Sequence, residues 1–226
     1  MPSPENKPSP PRFRPSTIAD DLRARLRGSL FTGAYEPGAA ISIRRIAAEF
    51  GVSVIPARDA LRALVAEGVL IFRDSRTIAV PGLDPARLDD MRFLRPSIEG
   101  ELARRAFPAL VVEGAERLGE IDAALDAAIA ANDPAAYVRG NHAFHFHIYQ
   151  RAASPVLLHF TETLWLQYAP SMRLVCQLYG ASEIKHDFHR AALTALAGRR
   201  QEAFVEAIRN DIRQGLDFIA SAALHA

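Results

Sequence analysis

The chain has 226 residues, 49% of them hydrophobic, and a formal net charge of +1. That composition supports one large or two ordinary buried cores. No apolar run approaches the roughly 20 residues of a membrane span, the N-terminus holds no apolar stretch that could act as a signal peptide, and the single cysteine, Cys176, excludes an internal disulfide or a multi-thiolate site. A cytoplasmic globular protein is expected. Its near-neutral charge hides an asymmetry, because residues 1–80 carry 12 Lys/Arg against 8 Asp/Glu and the remainder 15 against 18. A basic leading part joined to a slightly acidic one fits a nucleic-acid module with a partner domain.

Residues 1–16 are rich in Pro and Ser and read as a flexible arm carrying Lys7, Arg12 and Arg14. The following segment, "TIADDLRARLRGSLFTGAY", places Ile18, Leu22, Leu26 and Leu30 on one helical stripe, and "EPG" at Glu36–Gly38 is a turn. A second helix starts at "SIRRIAAEF" with Ser42 as its cap and Ile43, Ile46, Ala47 and Phe50 inward; Gly51 stops it. The third helix takes Ser53 as its cap, with Ala57, Ala60, Leu61 and Leu64 inward and Arg58 and Arg62 outward. "VLIFRDSRTIAV" then predicts a hairpin around Asp74–Arg76. This order predicts a winged helix-turn-helix over 17–81, followed by an all-α bundle over 82–226, so the fold class is mainly α. Breakers predict six helices in the bundle, at 84–107, 109–131, 134–152, 155–178, 182–197 and 200–223, with Pro96 and Pro170 kinking or splitting two of them.

Three histidines crowd the stretch "NHAFHFHIY", Asn141–Tyr149. On a helix only residues three or four apart share a face, so Asn141 aligns with His145 while His142 and His147 point elsewhere. Further ligands of any site on that face must come from distant sequence.

Residues 17–80 resemble the winged helix-turn-helix of GntR-family transcription factors. The landmarks are the Pro37–Gly38 turn, "GVS" at Gly51–Ser53, "PARDAL" at Pro56–Leu61 and "LVAEG" before the wing. The resemblance implies that the N-terminus of the third helix enters the major groove. It assigns the DNA contacts to Arg44, Ser53, Val54, Ile55, Arg58 and the wing residue Arg76. The family commonly has Ser-Arg-Thr-Pro where this chain has Ser53-Val54-Ile55-Pro56, which removes a guanidinium able to read guanine. Val54 and Ile55 are expected to pack on thymine methyls instead, giving A·T pairs in the operator where relatives read G·C.

Residues 84–224 resemble the FCD effector-binding domain of FadR-like GntR regulators, through "RPSIE", "NHAFH", "FHRAALTAL" and "FVEAIRNDI"; six helices would suit the VanR branch. Many such domains bind a divalent metal through an aspartate, a histidine four residues on, and two later histidines. Carried over by position, the set becomes Asn141, His145, His189 and Asp211, for zinc, nickel or manganese. A metal-free pocket in which the two histidines hydrogen-bond Asp211 or an acidic effector is the alternative. The resemblance implies a small organic-acid effector, for which Arg95 and Arg173 are candidate partners, with an ion pair from Arg95 to Glu99 as the other reading. Tyr168 and Trp165 either line this pocket or fill the core. The function implied is a transcriptional regulator, a repressor by default, that binds a near-palindromic operator on double-stranded DNA as a homodimer. A metal-dependent hydrolase fused to a DNA-binding domain, and an effector-independent DNA-binding dimer, are the rival readings.

Overall fold

A computed structural model of the chain describes residues 16–74, 77–82, 84–181 and 188–223. Most of the N-terminal arm, the wing-tip Arg76, and His186, three residues before His189 in sequence, lie outside these residues.

The first unit begins with α1, Ile18–Phe31, opened by a capping box in which Thr17 and Asp20 satisfy each other's backbone donors. Leu22, Leu26 and Leu30 are buried, whereas Ile18, at the end of the same stripe, is exposed. Strand β1 (Ala40–Ile41) leads into α2 (Ile43–Phe50), which Gly51 ends at φ 68°. That left-handed conformation is open to glycine without a Cβ penalty and lets the chain turn directly into α3, Val54–Ala66. Strands β2 (Ile71–Phe72) and β3 (Ile78–Ala79) form the expected hairpin. β1 also pairs antiparallel with β3, giving a three-stranded sheet in the order β1-β3-β2. Two residues are too few to show a period, so β1 left no mark in the sequence pattern.

The helical unit starts with α4, Pro85–Glu113, capped by Asp84. Pro108 does not break it, contrary to the expected end at 107. A proline withdraws the N–H that would bond the carbonyl four residues earlier, and here that carbonyl, on Arg104, accepts from Gln201 Nε2 at 3.2 Å instead. Pro96 also lies inside α4 without splitting it. The break falls at Gly114, followed by α5, Glu116–Ala130. Helix α6, Pro134–Tyr149, is capped by Asp133, whose carboxylate accepts from the Ala135 and Ala136 amides. Pro170 does split the expected helix at 155–178, into α7 (Pro155–Tyr168) and α8 (Met172–Ala181) joined by a 3₁₀ turn at Ala169–Ser171. Helices α9 (Phe188–Ala197) and α10 (Gln201–Ala223) complete the bundle. The described residues of this unit thus form seven helices rather than six, which removes the helix count as a ground for the VanR branch. None of the described helices is long and apolar enough to cross a membrane.

Helix α10 lies along α4 and α9, and α6 sits between α5 and α8. The bundle core is built on fully buried Phe144, Trp165 and Phe204. A second core under the winged unit gathers the stripe of α1 with Ile46, Leu61 and Leu64, and it includes one residue from α7, Leu166.

Candidate effector and metal site and the DNA-binding face

Inside the bundle, His145 from α6, His189 from α9 and Asp211 from α10 converge, each offering a ligand atom within 4.8 Å of the others. His145 Nε2 stands 3.0 Å from Asp211 Oδ2, and His189 Nε2 stands 3.5 Å from Asp211 Oδ1. The opposite ring nitrogens are tied outward. His189 Nδ1 faces Asp122 Oδ1 at 3.1 Å, and His145 Nδ1 faces the Tyr149 hydroxyl at 2.9 Å. That hydroxyl donates its proton to Glu99 Oε2 at 2.6 Å, so hydrogen-bond bookkeeping makes His145 Nδ1 the donor to Tyr149. Both Nε2 atoms face the Asp211 carboxylate. Two imidazoles and a carboxylate facing one centre, with outer partners fixing each ring, are a donor set suited to a divalent cation.

Asn141 lines the same small cavity with Arg95, Tyr137, Tyr168 and Met172, and its amide nitrogen lies 3.8 Å from Met172 Sδ. The cavity measures about 10 Å³, room for one water or ion. Arg95 is buried beside it, donating from Nε to Glu99 Oε1 at 2.6 Å and from Nη2 to Glu99 Oε2 at 3.3 Å. Its guanidinium stacks over Tyr168 and Trp165, 4.1 and 4.8 Å from the ring centres. Its Nη1 has no hydrogen-bond partner among the described residues. Glu99 collects a further bond from Trp165 Nε1 at 2.9 Å. Arg95 is therefore both the ion-pair partner of Glu99 and a wall of the cavity.

Burial alone disfavours charge on both imidazoles. For His145 that effect prevails and its pKa is lowered, although Asp211 opposes it. For His189 burial is overcome by attraction to Asp211 and hydrogen bonds to Asp122 and Asp211, which raise it to about 9. The difference follows from the partners, since His189 faces two carboxylates and His145 one carboxylate and a phenol. Asp211 itself is held well below the usual carboxylate range, burial being outweighed by His189 and His145. Counted formally, Arg95 and protonated His189 offset two of the three carboxylates Glu99, Asp122 and Asp211; a divalent cation that displaced the His189 proton would face a surplus of two negative charges.

His142 and His147 stay apart from this centre. His142 stacks on Phe146 at 4.1 Å and meets Phe31 of α1 edge-on at 4.7 Å, and burial lowers its pKa to about 4. His147 Nε2 lies 3.0 Å from Glu113. Arg173 is not among the cavity-lining residues, and its Nη1 donates to the Gly33 carbonyl of the winged unit at 2.9 Å.

On the winged unit, a cleft of about 410 Å³ between α2, the start of α3 and β3 is lined by Ser42, Arg44, Val54, Arg58 and Thr77, among others. Arg44, Ser53, Val54, Ile55 and Arg58 are all exposed. Ser53 occupies the cap position of α3 with an extended backbone, but its hydroxyl makes no capping bond. It faces solvent at the N-terminus of the helix, an arrangement suited to a phosphate.

Comparison with known proteins assigns these two regions. Residues 18–80 match the bacterial regulatory proteins of the gntR family, and residues 90–214, more than half of the chain, match the FCD domain. The chain belongs to the GntR family. It is a GntR transcriptional regulator whose helical unit is an FCD effector-binding domain. The regulator McbR of Escherichia coli K12 is 24% identical over 193 residues, 84% of this chain and 87% of that one. A solved structure of E. coli McbR/YncC superimposes with a TM-score of 0.81 at 22% identity, covering 92% of this chain and 99% of that one. A GntR structure from Rhodococcus sp. RHA1 gives 0.74 at 18% identity, covering 90% and 98%. A Streptomyces ambofaciens regulator is 38% identical over 79 residues, about a third of each chain.

Within this GntR chain the structure brings together Asn141, His145, His189 and Asp211, adds Arg95 beside them, and places Arg173 at the junction of the two units. Sequence reasoning missed Asp122. Its signal was a carboxylate on the buried stripe of α5, alongside Leu118, Ile121 and Leu125. Tyr149 was missed as well, although it stands four residues after His145 and so on the same helical face.

Proposed function

We propose that this GntR regulator binds a near-palindromic operator as a homodimer, and that a divalent metal and a small organic acid in its FCD domain control that binding. His145, His189 and Asp211 would hold the metal, with Asn141 bordering it and His145 and His189 oriented by Tyr149 and Asp122. Zinc, nickel and manganese are the candidates by donor type. When bound, the ion would supply open coordination positions for an effector carboxylate. Arg95 is the residue suited to the other side of that carboxylate. The observation that carries this reading is the convergence of two imidazole Nε2 atoms on a buried carboxylate, next to a buried guanidinium nitrogen without a partner among the described residues. With room for one water or ion, the cavity must widen to admit an acid, so binding would favour an altered arrangement of the helices around it.

The relatives matched over the chain are transcriptional regulators, which favours this reading over a hydrolase. The test is elemental analysis of the purified chain, with thermal unfolding of chelator-treated protein in the presence of zinc, nickel or manganese, alone and with small carboxylic acids. An ion present at a hundred times its Kd adds about 2.7 kcal/mol by mass action. That corresponds to a rise in Tm of several degrees, lost in His189→Asn and Asp211→Ala. No stabilisation by any of the three ions would sink the metal part. Acids that raise Tm in wild type and in Arg95→Met alike would sink the role of Arg95.

A further inference from the structure

Three consecutive residues of α7 belong to three different environments. Trp165 packs behind the sensor site, its indole N–H bonded to Glu99 at 2.9 Å and the Arg95 guanidinium stacked on its ring. Leu166 is fully buried and is part of the winged unit's core, which α7 meets at α1 and which also holds the inward residues of α2 and α3. Gln167 accepts from Arg87 Nη2 at 3.1 Å, and its amide lies against Gly68, 3.3 Å from where a Cβ would stand. Gly68, at φ 70°, is in the turn that ends the DNA-reading helix α3. A helix is stiff over a single turn, so a displacement of Trp165 must be shared by its two neighbours.

We propose that Trp165, Leu166 and Gln167 form the mechanical link of this regulator: the hydrogen bond from Trp165 to Glu99 sets the position of α7, and Leu166 transmits it to α3 as part of the DNA-binding domain's own core. Phe31 of α1, partly buried, also packs against both cores, but it meets His142 and Phe146 rather than Glu99; two further contacts between the units are polar. Arg173 holds the Gly33 carbonyl at 2.9 Å, and Arg27 approaches Glu162 at 3.8 Å while pairing more closely with Glu67. These polar links can slide or exchange with water. A buried leucine in a close-packed core cannot move without repacking it. The inference rests on the sensor reading of the FCD domain, but it concerns the chain without ligand and is tested there.

The test is a double-mutant cycle read by amide hydrogen exchange on the full chain, without metal, acid or DNA. Trp165→Phe keeps an aromatic ring and removes the N–H donated to Glu99; Leu166→Val shortens the inserted side chain. Trp165→Phe is expected to speed exchange over residues 64–70, at the end of α3, by about tenfold in the wild-type background and by less than threefold in the Leu166→Val background. Leu125→Ala, a core truncation in α5, is the control and should leave residues 64–70 unchanged. Unaltered exchange at 64–70 in Trp165→Phe, an equal effect in both backgrounds, or the same effect from Leu125→Ala would overturn the link. Failure of every metal and acid to bind would overturn the sensor reading and leave this cycle intact.

Discussion

Glu99 shows how a single side chain can organise a site. One carboxylate collects the guanidinium of Arg95, the phenol of Tyr149 and the indole of Trp165, while fully buried. A buried charge of this kind is stable only because each lone pair is matched, and removing one partner leaves the rest exposed to the full cost of desolvation. The i,i+4 pair of Arg95 and Glu99 was readable from spacing; the choice between ion pair and effector ligand was not, because it depends on which guanidinium nitrogen is left over. Asp122 illustrates the same limit. Its place on an apolar stripe marks it as buried, yet only the fold shows that it faces His189 across 67 positions of sequence.

The two imidazoles also fix the pH dependence of the chelator-treated protein. His189 has its pKa raised to about 9 against an ordinary 6.5, so its stabilising contribution is complete below about pH 6.5 and is lost as pH rises through 9. His145 acts in the opposite sense. Its lowered pKa gives a contribution present above 6.5 that is lost as pH falls. Metal-free protein should therefore be most stable near pH 6.5 and lose Tm steadily towards pH 9. His189→Gln should flatten the alkaline limb. Thermal unfolding from pH 5.5 to 9.5 measures this, and an alkaline limb unchanged in the variant would show that the proton resides elsewhere.

At the level of elements, α3 was the most legible part of the chain. Its inward positions Ala57, Ala60, Leu61 and Leu64 are buried and its arginines exposed, as helical periodicity requires. The bundle was harder to delimit because whether a proline ends a helix depends on tertiary contacts as well as on local sequence. Pro108 has Gln201 nearby, a partner 93 positions later that no local pattern reveals. The exposed start of α3 carries its own prediction. Arg58 shares a cleft with Arg44 and Val54, and Arg58→Ala is expected to remove specific binding, a loss of about 1–3 kcal/mol per bidentate base contact with additional loss from phosphate contacts. Val54 and Ile55, 41% and 69% exposed, offer methyl groups rather than donors. Selection of binding sites from random duplexes by the full chain should return A·T pairs opposite them, and Val54→Arg should shift those positions towards G·C. Recovery of G·C by the unaltered chain would reject that assignment.

Across the whole molecule, the two units are less separate than their sequence suggests. Charge and composition change near Pro81, and a boundary placed there treats residues 17–81 as a self-contained module. Leu166 contradicts the self-containment, because it is wholly buried in that module's core while belonging to α7. Nothing in the pattern of α7 could have singled it out, since Leu164, Trp165 and Leu166 are all apolar and only tertiary packing sorts them between two cores. A fragment of residues 16–82 would lack that leucine, leaving its place in the core open to water. Loss of a buried leucine costs about 2–5 kcal/mol, and in a domain of this size each kcal/mol moves Tm by roughly 4–8 °C. The fragment is thus expected to melt about 10–20 °C below the winged unit in the full chain, monitored by hydrogen exchange within α1 and α3. Equal protection in fragment and full chain would mean that the winged core closes without Leu166, and that the FCD domain governs DNA binding through its surface contacts alone.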